Sequence, residues 1–453
     1  MSFGCSDKGA GNRTVYKKRV EEVIKLKKLK KLRKYVPYIL LLVLFIWHSV
    51  LYGQQQRFPR PEFESGYAFP EHQFLNQRGP IWEYMDVAVL IGALLVTAWM
   101  VLKKRSRQGL VWISLFSLAY FGFYREGCIC AIGSVQNTSL ALFNTGYAIP
   151  LSALLFFIIP LIFALLFGRV FCAGVCPLGA IQELTGFKQV RVNKNVEKVL
   201  ASIPFVYLGL AVLFAATGSE FLICRFDPFI GIFRRDAPYT MVIFGSLLLI
   251  VGIYVNRPYC RYLCPYGVLQ NIFSRFSVKH VTISPAECRN CRLCESGCPY
   301  DAILQTDPSP DMENTKKSSK GSIFYFLMIP VLAAAFAVIF YNLAPSLSGM
   351  NANVRLAREV RLEKEQGIKA VSKPAIAFFE SGKTENELFE EEQQIIGRFR
   401  KGAPLIGIFL GLSLGIGFFR LTVRNIRTDY EPDRGRCYSC AKCFKFCPVK
   451  IKN

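Results

Sequence analysis

Fourteen of the sixteen cysteines in this 453-residue chain stand in short, repeated spacings, and thiols gathered that closely hold metal more readily than they form a disulfide framework. Two runs have one form: Cys288-x-x-Cys291-x-x-Cys294-x-x-x-Cys298-Pro299 and Cys437-x-x-Cys440-x-x-Cys443-x-x-x-Cys447-Pro448. The pattern is that of bacterial ferredoxins, in which three thiolates wrap one face of an iron–sulfur cubane and the fourth leads away ahead of a proline. A structural zinc site usually draws two cysteine pairs from separate loops, so eight cysteines in two matching runs argue against zinc. Where two clusters share a module, the fourth cysteine of each run ligates the other cluster. One 4Fe–4S cluster is therefore expected on Cys288, Cys291, Cys294 and Cys447, and the other on Cys437, Cys440, Cys443 and Cys298. The alternative is two independent half-sites, each using its own fourth cysteine. Residues 299–436 separate the runs, so cross-ligation requires a ferredoxin module split in sequence and closed in space.

Two further motifs, GRVFCAGVCPLGAIQE (168–183) and NRPYCRYLCPYGVLQN (256–271), align as Arg-x-aromatic-Cys-x-x-x-Cys-Pro-x-Gly-x-apolar-Gln. A repeated motif implies a repeated structure. If helical, each C-x-x-x-C places its thiols one turn apart on one face. Cys172, Cys176, Cys260 and Cys264 are then the right number of thiolates for one further metal or cluster site, with two separate redox dithiols or packed helix-start thiols as the alternatives. A degenerate third copy, Arg125 to Gln136, keeps the arginine, the Gly133, the Gln136 and a cysteine pair, Cys128 and Cys130. With Cys224 it is placed by topology on the outer face, as an electron exit, as inert thiols or as a disulfide, which an oxidising compartment permits.

The elements that must position these thiols are long apolar blocks. Apolar residues make up 52% of the chain, and several blocks approach the ~20 residues that cross a bilayer as a helix. Eight spans are predicted, at 35–52, 85–102, 109–124, 147–167, 201–218, 239–255, 322–343 and 403–419. The net charge of +24 lies in runs beside these blocks, as in membrane proteins whose basic segments stay inside. No nucleic-acid motif accompanies it, which sets nucleic-acid binding aside. With a basic inner N-terminus, segments 1–34, 103–108, 168–199, 256–320 and 420–453 face the cytoplasm and carry every C-x-x-C and C-x-x-x-C. The loop 344–402 falls outside and is nearly neutral. The stretch Lys25–Lys34 is a topology anchor on anionic lipid. Cys5 lies too near the start to follow a signal-peptide apolar region. The expected fold is an all-α polytopic membrane protein of about eight helices with a small α+β ferredoxin-like module on the cytoplasmic side. Its parts are a basic N-terminus (1–34), a six-helix core (35–255), the second C-x-x-x-C-P motif with the first half of the ferredoxin module (256–320), a helix hairpin (321–420) and the second half (421–453).

The string CRYLCPYGVLQN, with GRVFCAGVCPLGAIQE upstream and the ferredoxin runs downstream, resembles the polyferredoxin membrane proteins of the NosR, NapH and CcoG superfamily, most nearly the membrane half of NosR. The resemblance covers about 109–300 and the C-terminal run. It implies an inner-membrane conduit carrying electrons between the quinone pool or a cytoplasmic donor and a redox partner at the outer face, and the charge pattern places both termini in the cytoplasm. The chain departs from NosR in showing no flavin-binding domain and from CcoG in showing no immunoglobulin-like domain. A redox-linked assembly or metal-reduction factor, and a cluster-based sensor, are the competing readings. No catalytic residue is singled out. His48, His72 and His280 are the only histidines; no C-x-x-C-H supports covalent haem, and His48 has no second intramembrane histidine to complete a bis-His site. Glu126, Asp227 and Asp236 are read as solvated carboxylates at outer span edges, or as groups that take protons from a quinol.

Overall fold

The computed structural model describes residues 80–127, 131–144, 146–187, 190, 192–235, 238–283, 291–304, 315–366, 372–380, 384–422 and 430–447. The chain divides into Met1–Phe74 and Leu75–Asn453, and every described residue belongs to the second unit. The expected span 35–52, the anchor Lys25–Lys34, His48, His72, Asp236, and the thiols of Cys5, Cys128, Cys130 and Cys288 lie outside the described residues.

Among the described residues, four helices are long and apolar enough to cross a membrane: Ile81–Leu102, Val196–Ala216, Phe324–Ser348 and Glu385–Phe419. Leu151–Phe167 and Tyr239–Tyr254 are shorter apolar helices. The predicted span 109–124 is a helix, Arg107–Ser117, capped by the Ser106 side chain and widening into a π-helical turn, Leu118–Tyr124. The helix Leu151–Phe167 stops where Gly168 adopts φ 76° and its N–H returns to the Ala164 carbonyl, a left-handed terminator that glycine takes without steric cost. That turn delivers the chain directly into Arg169 and the first C-x-x-x-C-P motif.

Two segments differ from expectation. The expected loop 344–402 holds helices among its described residues, namely Ala352–Gln366, Lys373–Glu380 and the first turns of Glu385–Thr422. Val354, Ala357 and Val360 recur at helical spacing, and all three are buried; a near-neutral charge balance carried no information about that stripe. The segment 219–238, expected as a short outer loop, holds two helices, Leu222–Phe226 and Pro228–Arg234, that fold back into the bundle. Leu222, Ile223, Phe229 and Phe233 are all buried, and Pro228 lies against Gly245, midway along the helix Tyr239–Tyr254. Asp227 is consequently 2% exposed, not a solvated edge carboxylate. Its Oδ2 accepts a hydrogen bond from the Tyr259 hydroxyl at 2.6 Å, and its Oδ1 accepts one from the Phe229 N–H at 2.9 Å.

The helices Thr315–Ser348 and Glu385–Thr422 pack as a hairpin. Gly407, Gly411 and Gly415 fall four residues apart on the packed face. A Cβ on Gly411 would stand 2.5 Å from the Ala333 Cα, and one on Gly407 2.3 Å from the Phe336 carbonyl oxygen. Small residues at this spacing let helix backbones approach closely. The hairpin separates the ferredoxin runs in sequence, and both of its ends lead to one small module. There, Ile303–Leu304 pairs antiparallel with Glu431–Pro432, in the register Ile303 to Pro432 and Leu304 to Glu431. The short helices Leu293–Ser296 and Lys442–Phe446 touch, and Ile283, Cys294, Ile303 and Tyr430 form a common core.

Candidate iron–sulfur centres and the contact between them

Each C-x-x-x-C-P motif is bent between its cysteines. Cys172 lies in the π-helical turn Phe171–Val175 and Cys260 in the short helix Pro258–Tyr262. Cys176 and Cys264 are extended, at φ −71°, ψ 117° and φ −67°, ψ 112°, each capping the next helix, Pro177–Thr185 or Pro265–Arg275. Proline disfavours the helical region in the residue before it while suiting the first helical position itself. The single-turn reading of C-x-x-x-C therefore gives way to two thiols on separate elements.

The two motifs interlock. Arg257, 1% exposed, reaches across to the first motif: its guanidinium lies over Gly179, donates to the Cys172 carbonyl and pairs with Glu183 at 2.9 Å. Arg169, 4% exposed, lies over Gly267 of the second motif, and its Nη2 approaches the Cys172 Sγ at 3.9 Å. Gln182 accepts from the Tyr259 N–H at 3.0 Å and donates to the Cys260 Sγ at 3.4 Å. These reciprocal contacts bring Cys172, Cys176, Cys260 and Cys264 into one neighbourhood. Burial, reinforced by the other three thiols, pushes the Cys264 thiol well above its ordinary range.

The ferredoxin module sits directly on this neighbourhood. The rings of Tyr300, two residues after Cys298, and Tyr438, next to Cys437, stack at 4.4 Å. The Tyr438 hydroxyl donates to the Cys260 carbonyl at 3.0 Å, and the Arg169 guanidinium lies 3.9 Å from the centre of the Tyr438 ring. Cys172, Cys260, Cys298 and Cys437 all pack against the cluster formed by Tyr300, Ala302, Tyr438 and Cys440. A second attachment is ionic. Glu183 accepts from Arg107, from Arg257 and from Lys442, the last at 2.7 Å, and Arg107 also donates to the Cys440 carbonyl at 3.1 Å. Burial alone would raise the Glu183 carboxyl, but Lys442, Arg107 and Arg257 together hold it well below the usual carboxylate range. Lys442 shifts downward, through its burial and the neighbouring Arg107, because one carboxylate is shared among three cations.

Whether these residues suit iron–sulfur centres can be judged from charge. Burial pushes the Cys260 and Cys437 thiols up to about 12, so as free side chains they would stay protonated. Arg169 is buried without a carboxylate partner among the described residues, and its Nε has no hydrogen-bond acceptor. Buried cations need a counter-charge, and a cluster with thiolate ligands supplies one. Among the described residues, no three His, Cys, Asp or Glu side chains converge on a single ion. Ligands of one zinc ion lie ~2.3 Å from it, whereas the thiolates of a cubane each bind a different iron and stand farther apart.

The structure places the remaining predicted residues less completely. In the ferredoxin module, Cys298 faces Cys437, Cys440 and Cys443 closely enough for their charges to interact. Cys294 is buried in the shared core, Cys447 is half-buried and Cys291 exposed. Cys224 lies beside Gly133, in the degenerate third motif. Sequence reasoning missed Glu183, Tyr300, Tyr438 and Lys442. For Glu183 and Lys442 the only available signal was that each lies inside or at the edge of a cysteine motif.

A mostly helical membrane protein that carries iron–sulfur clusters is the class these features define. The protein family described as "4Fe-4S binding domain" matches twice, over 149–194 and 237–284; these segments hold the C-x-x-x-C-P motifs rather than the ferredoxin runs. The chain is 30% identical over 166 residues to an uncharacterized protein of Methanocaldococcus jannaschii, covering 34% of this chain and 61% of that one. It is 28% identical over 218 residues to the regulatory protein NosR of Stutzerimonas stutzeri, covering 44% and 29%. It is 25% identical over 143 residues to the methylamine utilization ferredoxin-type protein MauN of Methylobacillus flagellatus, covering 30% and 50%. The matched part thus spans less than two thirds of each of these relatives. No solved structure matches the chain. Around its C-x-x-x-C-P motifs the chain is thus similar to ferredoxin-containing membrane proteins of the NosR type.

Proposed function

We propose that this chain is a membrane electron conduit in which the ferredoxin module and the paired C-x-x-x-C-P motifs hold centres that exchange electrons directly. One 4Fe–4S cluster is assigned to Cys288, Cys291, Cys294 and Cys447, a second to Cys437, Cys440, Cys443 and Cys298, and a third centre to Cys172, Cys176, Cys260 and Cys264. Bound there, such centres take up and release one electron at a time. The chain's own residues set the geometry: the interlocked Arg169 and Arg257 hold the motifs together, Glu183 and Lys442 clamp the C-terminal run onto them, and the Tyr300–Tyr438 stack fills the gap. The reading is carried by one observation, that Cys172, Cys260, Cys298 and Cys437 share a single buried cluster. The relatives' ferredoxin-type naming and the iron–sulfur family match over both motifs support it. On this reading the donor is the quinone pool or a cytoplasmic reductant, the acceptor is a redox protein at the opposite face of the inner membrane, and both termini are cytoplasmic.

The test is anaerobic purification followed by iron, acid-labile sulfide and zinc analysis with EPR. Twelve irons per chain are expected, falling to about eight in a Cys172→Ser/Cys260→Ser double variant. Eight irons in the unaltered protein would remove the third centre from the assignment. Stoichiometric zinc with little iron would overturn it entirely.

A further inference from the structure

The interlocked motifs are related residue for residue, and the relation fails at one telling position. Arg169 corresponds to Arg257, Cys172 to Cys260, Cys176 to Cys264, Gly179 to Gly267 and Gln182 to Gln270. Each arginine crosses to lie over the other motif's glycine, Arg257 over Gly179 and Arg169 over Gly267. One step beyond the shared glutamine, the first motif has Glu183 and the second has Asn271. Arg257 therefore has a carboxylate at 2.9 Å. The matching position for Arg169 offers a neutral amide, whose Oδ1 is taken by the Arg275 Nε at 3.0 Å.

Arg169 is left with partners that do not neutralise it: the Gly435 carbonyl at 3.2 Å, the face of Tyr438 and the Cys172 sulfur at 3.9 Å. Its Nε is unpartnered although the residue is 4% exposed. Asn271, Arg169, Arg261, Arg436, Glu197, Cys260 and Cys264 border one cavity, and Arg261 is engaged with Glu197. Among the described residues, the only carboxylate of that wall is thus committed elsewhere. A full positive charge in a low-dielectric interior acts strongly on any charge that changes beside it.

We propose that Arg169 sets the reduction potential of the centre at Cys172, Cys176, Cys260 and Cys264, and that Asn271, by withholding the carboxylate its repeat partner supplies, keeps that charge available. Reducing the centre adds one electron and one negative charge, which the uncompensated guanidinium favours. Arg169 so makes the centre a better electron acceptor from the ferredoxin module across Tyr438. This rests on the third centre assigned above. Arg169 and Asn271 are positioning residues, since neither supplies a ligand.

The experiment is a redox titration by EPR of the full chain, purified anaerobically, comparing Asn271→Glu with the uncharged control Asn271→Gln. At a fixed poise, Asn271→Glu is expected to lower the reduced-to-oxidised ratio of the third centre at least tenfold, which for one electron is 59 mV, and to move the ferredoxin clusters less. Asn271→Gln should leave the ratio within twofold. Should Asn271→Glu lose iron, Arg169→Gln against Arg169→Lys reads the same charge: the first should lower the ratio and the second preserve it. Twelve irons with an unmoved ratio in Asn271→Glu and Arg169→Gln, or an equal shift in all centres, would overturn the inference alone. Eight irons in the unaltered protein would overturn the third centre and this inference with it.

Discussion

Replacing Glu183 by glutamine is expected to detach the C-terminal ferredoxin run from the membrane core. The carboxylate is the common partner of Arg107, Arg257 and Lys442, on three separate stretches of chain. Breaking a buried ion pair from one side costs about 3–5 kcal/mol, because the remaining charge stays buried and uncompensated. Here three cations would be left: Arg257 and Lys442 lie within cysteine motifs, and Arg107 donates to the Cys440 carbonyl. Glutamine keeps the size and one acceptor oxygen, so the loss would come from charge rather than from a cavity. The measurement is limited proteolysis together with iron content. The variant should become cleavable between 423 and 436 and lose iron on gel filtration, while Glu220→Gln, which removes a more exposed pair with Arg225, should do neither. An E183Q protein as protease-resistant and iron-replete as the parent would mean that the packing of Tyr300 and Tyr438 suffices to hold the module.

Gly411→Leu should have a comparable effect from farther away. The new Cβ would fall 2.5 Å from the Ala333 Cα, a backbone atom that cannot rotate aside. Overpacking typically costs 1–3 kcal/mol, and a backbone neighbour places this site at about 3 kcal/mol. The helices would have to separate or slide, and the strand Glu431–Pro432 with them. Since that strand pairs with Ile303–Leu304, a distortion in the hairpin should weaken iron retention in both runs. Gly417→Leu is the control, because a Cβ there meets nothing within 4 Å. Equal iron content in both variants would show that the hairpin's spacing is not transmitted to the module.

Much of this arrangement was legible in the sequence because cysteine spacing is a strong, short-range signal. The ferredoxin runs, the repeated C-x-x-x-C-P motifs and the apolar blocks could be read without knowing which residues meet in space. The bend between Cys172 and Cys176 was also implicit, in Pro177, but a helical reading of the spacing overrode it. What the sequence hid is long-range. Glu183 gathers partners from positions 107, 257 and 442, and no local pattern marks a carboxylate that three distant cations will share. The folded-back segment around Asp227 was hidden for another reason. Its apolar run is too short for a span, so a brief, arginine-bearing stretch between two longer apolar blocks reads as a loop until Phe229 and Phe233 are seen to be buried. The helices within 352–400 escaped because charge balance was weighed there in place of periodicity.

The pairing of Ile303–Leu304 with Glu431–Pro432 also orders events during synthesis. A chain emerging from the ribosome exposes the first cysteine run long before its partner strand exists. At ~5–20 residues per second the wait is on the order of ten seconds, during which the hairpin helices must enter the bilayer. Until then the first run's thiols stand beside an unpaired edge, open to metal or oxidant. Closure of the module therefore reports that the two hairpin helices are in place, and a chain truncated or stalled before residue 431 cannot pass that checkpoint.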